Sequence, residues 1–238
     1  MRGPSVGKTP VELKSIVNWL NRALPHNCLL CHQSADALLC HTCKGDLPLY
    51  DLPAEQFDLM RNPGIAKHLP AMQVERLCCL SSYQWPFDMW LSGLKFKRHQ
   101  LPATVMTALF AEQLREHPQL PEVIVPVPLH YRRYLFRHFN QSLLLATALS
   151  RLIGVPVASD YLSRQRATAA QTHLSGAQRR RNLKKAFTLH RPLPHNHIAL
   201  LDDVITTGST LAELVKTLQS QQPDLRIELW AFAISLKQ

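Results

Sequence analysis

His197-Ile-Ala-Leu-Leu-Asp-Asp-Val-Ile-Thr-Thr-Gly-Ser-Thr-Leu211 is the stretch that decides how this chain is read. The apolar run 198–201 has the length of a buried strand and runs straight into two acids, Asp202 and Asp203. A turn rich in Thr, Gly and Ser follows. The pattern 210–222 then continues as a helix, stopped by Pro223. Backbone N–H groups at a helix start have no partner within the helix, and the aligned peptide dipoles add positive potential there, so a phosphate is the natural occupant. Thr206, Thr207, Ser209 and Thr210 supply hydroxyl donors, and Gly208 lets the backbone come close. Carboxylates repel phosphate, so the paired acids need a reason of their own. They can accept hydrogen bonds from the vicinal hydroxyls of a ribose, or help to hold magnesium. Phosphate donors beside diol acceptors suit a ribose 5-phosphate group. The plain alternative is a helix-capping turn with its acids in solvent.

Working outward, strand-like and helical stretches alternate. The run 101–116 reads as a helix and 123–127 as a short buried strand. A strong helix spans 140–153, ended by Gly154 and Pro156, and 227–234 is a last strand. This alternation implies parallel pairing and a three-layer α/β sandwich. The expected division is an N-terminal helix and cysteine segment over 1–47, an irregular linker over 48–80 punctuated by prolines, and the α/β domain over 81–238. With 238 residues, the chain is long enough for one such domain and a small appendage. No apolar run reaches the roughly 20 residues that span a bilayer. Near the N-terminus, Val11, Leu13, Ile16, Val17 and Leu20 are broken by Glu12, Lys14, Asn18 and Asn21, which reads as an amphipathic helix and not as an export signal. No membrane insertion and a cytoplasmic, reducing home are the expectations, and disulfides are then not expected.

The cysteines therefore need another reason. Cys28-x2-Cys31 and Cys40-x2-Cys43 stand eight residues apart. Two such knuckles bring four thiolates around one Zn²⁺, a closed and hence structural site. Cys78 and Cys79 are adjacent, which suits neither a knuckle nor an ordinary disulfide, and they read as core thiols.

The formal charge is +10, and its placement matters more than its size. Between Val123 and Leu201 stand 12 of the 27 Lys and Arg residues against one acid, Asp160; the remainder of the chain has 15 bases and 16 acids. The densest run is Arg179, Arg180, Arg181, Lys184 and Lys185. A solvated surface accounts for any single charge run, but this asymmetry favours a polyanionic partner. Trp85, Phe87, Trp90 and Phe96 lie near Lys95, Lys97 and Arg98, and read either as core or as stacking surfaces for bases.

The run Leu200-Leu-Asp-Asp-Val-Ile-Thr-Thr-Gly-Ser-Thr210 resembles, at every position, the motif by which type I phosphoribosyltransferases bind 5-phosphoribosyl-1-pyrophosphate (PRPP). The resemblance narrows upstream. Val125-Pro-Val-Pro-Leu129, Arg132, Arg137, Phe139-Asn-Gln141, Arg164-Gln-Arg166-Ala-Thr168, Gln171, Leu174, Arg180, Asn182 and Ala186-Phe187 are similar to the signature of the competence protein ComF/GntX family. The family resemblance implies a type I phosphoribosyltransferase-like fold behind a zinc knuckle. In it Asp202 and Asp203 hold the ribose hydroxyls as the catalytic acids, and Thr206, Thr207, Gly208, Ser209 and Thr210 wrap the 5′-phosphate. Arg132 and Arg133 fall in the loop that contacts pyrophosphate, and 164–182 in a mobile loop that closes over PRPP. Implied cofactors are structural Zn²⁺ and Mg²⁺ with PRPP. Implied partners are PRPP, single-stranded DNA and a DNA-translocating ATPase of the uptake machinery. The implied role is natural transformation or DNA utilisation, with a PRPP-dependent transferase of small-molecule metabolism as the alternative. His138 stands where the family has glycine, and a second cysteine knuckle is absent from 48–80.

Overall fold

The computed structural model describes residues 26–97, 100–129, 139–164 and 186–235. The chain divides into two compact units, Met1–Leu47 and Pro48–Gln238. In the first, β1 (His26–Asn27) pairs antiparallel with β2 (Ser34–Ala35), and α1 (His41–Gly45) follows.

The second unit opens with a 3-10 turn at Leu59–Arg61 and the short helix α2 (Pro63–Ala66). Next come β3 (Arg76–Ser82), α3 (Phe87–Lys97), α4 (Gln100–Gln113) and β4 (Val123–Pro126). The chain continues through α5 (Gln141–Ile153), β5 (Leu162–Arg164), β6 (Phe187–Leu189) and β7 (His197–Ile205). It closes with α6 (Ser209–Gln219) and β8 (Arg226–Ile234). Among the described residues four strands form one parallel sheet in the order β3-β8-β7-β4, while β5 and β6 make a separate antiparallel pair. The expected parallel α/β architecture is thus present, and β7 runs further than the apolar stretch 198–201 suggested.

The sequence explains these elements locally. β8 is buried at every position after Arg226, as a parallel strand covered on both faces must be. On α4, Phe110 packs its ring against Trp230 and Phe232, with centroids 5.9 and 5.3 Å away. The buried residues of α6, Leu211, Leu214, Val215 and Leu218, follow one helical stripe. Gly154 ends α5 at a φ of 77°, the left-handed turn that only glycine enters without strain. Cys78 and Cys79 are fully buried in β3.

The stretch 48–75 has little regular structure, yet Leu52, Leu59, Ile65 and Leu69 are buried in the second unit. It runs beside β3: Leu49 bridges Ser81, Tyr50 N–H donates to the Leu80 carbonyl at 3.0 Å, and Leu77 N–H donates to Asp58 Oδ1 at 3.1 Å. β3 is one of the two outer strands of the described sheet, and an open edge invites pairing with other chains, so this cover has a physical purpose.

At the start of the strands lies a buried carboxylate, Glu228. Its Oε1 accepts from Arg76 Nη1 at 3.0 Å and sits 3.2 Å from His197 Nε2. Its Oε2 accepts from Trp230 Nε1 at 2.9 Å. His117 Nε2 approaches Oε2 to 3.1 Å without hydrogen-bond alignment. Nearby, Arg226 grips Glu75 with two nitrogens at 2.9 and 2.7 Å. Among the described residues, no helix is long and apolar enough to cross a membrane.

Candidate functional site

Parallel strands present their carboxyl ends together, and ligands in such sheets bind in the crevice beyond those ends. β7 delivers Asp202 and Asp203 there. Asp202 is fixed twice: its Oδ1 accepts from Asp203 N–H at 2.9 Å and from Ser142 Oγ at 3.0 Å. Asp203 Oδ1 in turn accepts from Val204 N–H at 2.9 Å.

The turn after β7 leads into α6 with Gly208 as the capping residue, at a φ of 64°. A β-carbon at Gly208 would come within 2.8 Å of Pro70 Cδ and 3.1 Å of Leu69 Cδ2. Glycine is needed there for both conformation and space, and the stretch before β3 is what takes up that space. Among the described residues no side chain caps the helix, and no acid lies in its first turn. Thr207 Oγ1 and Ser209 Oγ lie 3.0 Å apart across the turn.

These groups line a cavity of about 260 Å³. It brings together Asp202, Asp203, Thr206, Thr207, Gly208, Ser209 and Thr210 with Tyr83, Gln141, Ser142, Arg164 and the stretch 127–129. Asn140 holds this wall in place: its Oδ1 caps α5 at Ser142 N–H (3.0 Å) and its Nδ2 donates to the Val127 carbonyl (3.0 Å). Arg164 is buried, with its guanidinium 5.4 Å from the centre of the Phe187 ring across the β5–β6 pair. It also borders a neighbouring cavity of about 310 Å³, walled by Leu129, Leu143 and Leu162 with Ser159 and Ser163. Arg132, Arg133, Arg137, His138, Arg179, Arg180, Arg181, Lys184 and Lys185 lie outside the described residues.

Ser142, Tyr83 and Gln141 were not singled out as pocket residues from the sequence. The Phe-Asn-Gln run marked the right neighbourhood. That Ser142 bonds Asp202, 60 positions away, is a fact of tertiary structure.

The first unit gathers Cys28, Cys31, Cys40 and Cys43, whose sulfurs all lie within 4.8 Å of one another. Cys31 and Cys40 Sγ are 3.9 Å apart. A tetrahedral ion with bonds of about 2.3 Å to sulfur sets its ligands about 3.8 Å apart, so this set fits a four-thiolate metal. Backbone N–H groups point at the sulfurs: Cys40 N–H donates to Cys28 Sγ and Cys43 N–H to Cys40 Sγ, each at 3.4 Å. Burial pushes the Cys28 thiol up, but the amides of Cys31, Cys40 and Leu30 outweigh it and bring it down to about 6. Cys43, hydrogen-bonded to Cys40, is pushed up to about 12.

No family model matches the chain. It is 38% identical over 212 residues to the DNA utilization protein YhgH of Escherichia coli O157:H7, covering 84% of this chain and 89% of that one. It is 34% identical over 167 residues to competence protein F of Haemophilus influenzae, covering 67% of this chain and 72% of its relative. Among solved structures, the Helicobacter pylori xanthine-guanine-hypoxanthine phosphoribosyltransferase aligns with 59% of this chain and 88% of its own, at 13% identity and a TM-score of 0.33.

Proposed function

The chain belongs to the family of DNA utilization protein YhgH and competence protein F, and from that premise we propose that it binds PRPP and serves DNA uptake or utilisation by binding single-stranded DNA. The observation that carries the PRPP half is the single cavity in which the Asp202–Asp203 pair meets the open helix start at Gly208. In this reading the amides and hydroxyls of 206–210 hold the 5′-phosphate, and the two carboxylates accept from the ribose hydroxyls. Ser142 keeps Asp202 turned toward the sugar. Arg164 is the described cation of the pocket, and its planar fork suits phosphate oxygens. Arg132 and Arg133 complete the pyrophosphate end. Magnesium arriving with PRPP would neutralise pyrophosphate charge. In the first unit the four cysteines hold one structural zinc, a reading supported by their spacing and their proximity.

Replacing both Asp202 and Asp203 with Ala removes two to four hydrogen-bond acceptors. At roughly 1.5–3 kcal/mol for each charged one, PRPP affinity should fall about a hundredfold or more. Calorimetry with PRPP, ribose 5-phosphate and pyrophosphate tests this. The first two ligands should weaken together while pyrophosphate does not. Unchanged PRPP binding would remove the acids from the site.

The second reading, a PRPP-dependent transferase of small-molecule metabolism, draws on the same acids. Those carboxylates would steady an oxocarbenium-like centre, and the cavity beyond Arg164 could seat an acceptor. Release of pyrophosphate from PRPP in the presence of candidate acceptors separates this reading from binding alone.

A further inference from the structure

The start of α5 ties two walls of the ligand cavity to each other. Ser142, in the first turn, donates from Oγ to Asp202 Oδ1 at 3.0 Å. Asn140, the capping residue, accepts from Ser142 N–H at 3.0 Å and donates from Nδ2 to the Val127 carbonyl at 3.0 Å. Val127 N–H donates in turn to the Leu201 carbonyl at 2.9 Å, and Leu201 is the chain neighbour of Asp202. The four hydrogen bonds close a ring that runs from Leu201 through Val127, Asn140 and Ser142 back to Asp202.

The residue types suit this arrangement. Pro126 and Pro128 flank Val127 and have no amide hydrogen, so within 126–128 only Val127 can donate to β7. From there the chain leaves the ladder as the stretch 127–129 that walls the cavity. Val127, Ser142 and Leu201 are buried, which shields the bonds they make from competing water. Asparagine can do two jobs at once, since its side-chain oxygen caps the helix while its amide donates elsewhere. Serine and aspartate cap as well, but an ionised aspartate has no hydrogen to give and serine has one short hydroxyl for both tasks.

We propose that Asn140 is a positioning residue that makes one rigid frame of the Asp202 wall and the 127–129 wall, so that a ligand spanning both meets groups already in register. The proposal rests on the PRPP reading above, in which Asp202 meets the ribose and 127–129 leads to the pyrophosphate end. A ligand that engages both walls at once benefits from ordering that is complete before it arrives. Either half of the ligand alone touches one wall and gains nothing from the join.

The experiment is calorimetry on the full chain with PRPP, ribose 5-phosphate and pyrophosphate, each alone. Asn140→Ser keeps a capping oxygen and loses the bond to Val127. It should bind PRPP about 2- to 10-fold more weakly and bind the two halves as the wild type does. Ser142→Ala opens the ring at Asp202 and should weaken PRPP and ribose 5-phosphate about tenfold or more, leaving pyrophosphate unchanged. Because one break already opens the ring, the double variant should lose less PRPP affinity than the product of the two single losses. If Asn140→Ser binds PRPP as tightly as the wild type, the frame is overturned and the PRPP reading survives. Equal weakening of PRPP and of either half would make Asn140 the support of one wall only and overturn the proposal, as would single losses that multiply. If the wild type does not bind PRPP, both readings fall. Should the serine variant unfold, Asn140→Gly repeats the test, because glycine is nearly as good at a helix start. If both unfold, Asn140 serves the fold and not the ligand, and the proposal falls.

Discussion

Glu228 is a fully buried acid that survives because Arg76, His197 and Trp230 bond it and His117 crowds its second oxygen. Burial alone would push its carboxyl up. The His117, Trp230 and Arg76 contacts outweigh burial and hold it below the usual carboxylate range. Removing one partner of a buried charge pair typically costs about 3–5 kcal/mol, so Glu228→Gln should lower stability by about 3 kcal/mol in urea unfolding. Because the folded value lies below the unfolded one, this stability is present above a pH of about 4.3 and is lost as the pH falls through the lower folded value. The Gln variant should lose that part of the acid sensitivity, and an unchanged pH profile would mean Glu228 is not its source. The sequence announced Asp202 and Asp203 because their motif is local. It gave no sign of Glu228, whose partner Arg76 stands 152 positions away, or of Ser142, which bonds Asp202 60 positions on.

The turn between β7 and α6 was legible for the same reason: strand, acids, turn and helix follow one another within about fifteen residues. What prose-like punctuation could not reveal was the role of the proline-rich stretch 48–75, which covers the β3 edge and packs Leu69 and Pro70 against Gly208. Gly208→Ala combines a left-handed φ of 64° with a contact of 2.8 Å to Pro70. It should destabilise the protein by about 1–3 kcal/mol and weaken PRPP binding together, since either the turn or Pro70 must move. Thermal unfolding beside calorimetry checks both. In the first unit the cysteine pairs were equally plain in the sequence. Metal analysis should find about one zinc per chain, lost in Cys40→Ser. That variant should leave the unfolding of the second unit nearly unchanged, because none of its core residues is touched.

Over the whole molecule the sequence conveyed the alternation of strands and helices. The sheet order β3-β8-β7-β4, which sets the last strand between the first and third, depends on long-range pairing that no local pattern encodes. The charge asymmetry, by contrast, is visible in sequence alone. If Arg179, Arg180 and Arg181 contact a DNA backbone, changing all three to Ala should make the dependence of log K on log salt shallower by about 2, at roughly 0.7 per phosphate contact on a single strand. Sequence preference should not change, and an unaltered slope would take this run out of the interface. Strand β7 separates two duties along its length: His197 at its start belongs to the Glu228 cluster, and Asp202 and Asp203 near its end belong to the ligand cavity. Alleles of the gene should divide accordingly. Asp202→Ala with Asp203→Ala should accumulate to wild-type abundance and fail only in its task, a separation-of-function allele. Glu228→Gln should be cleared by quality-control proteases and register on a blot as a loss of protein. Only the first allele allows a cellular phenotype to be attributed to ligand binding.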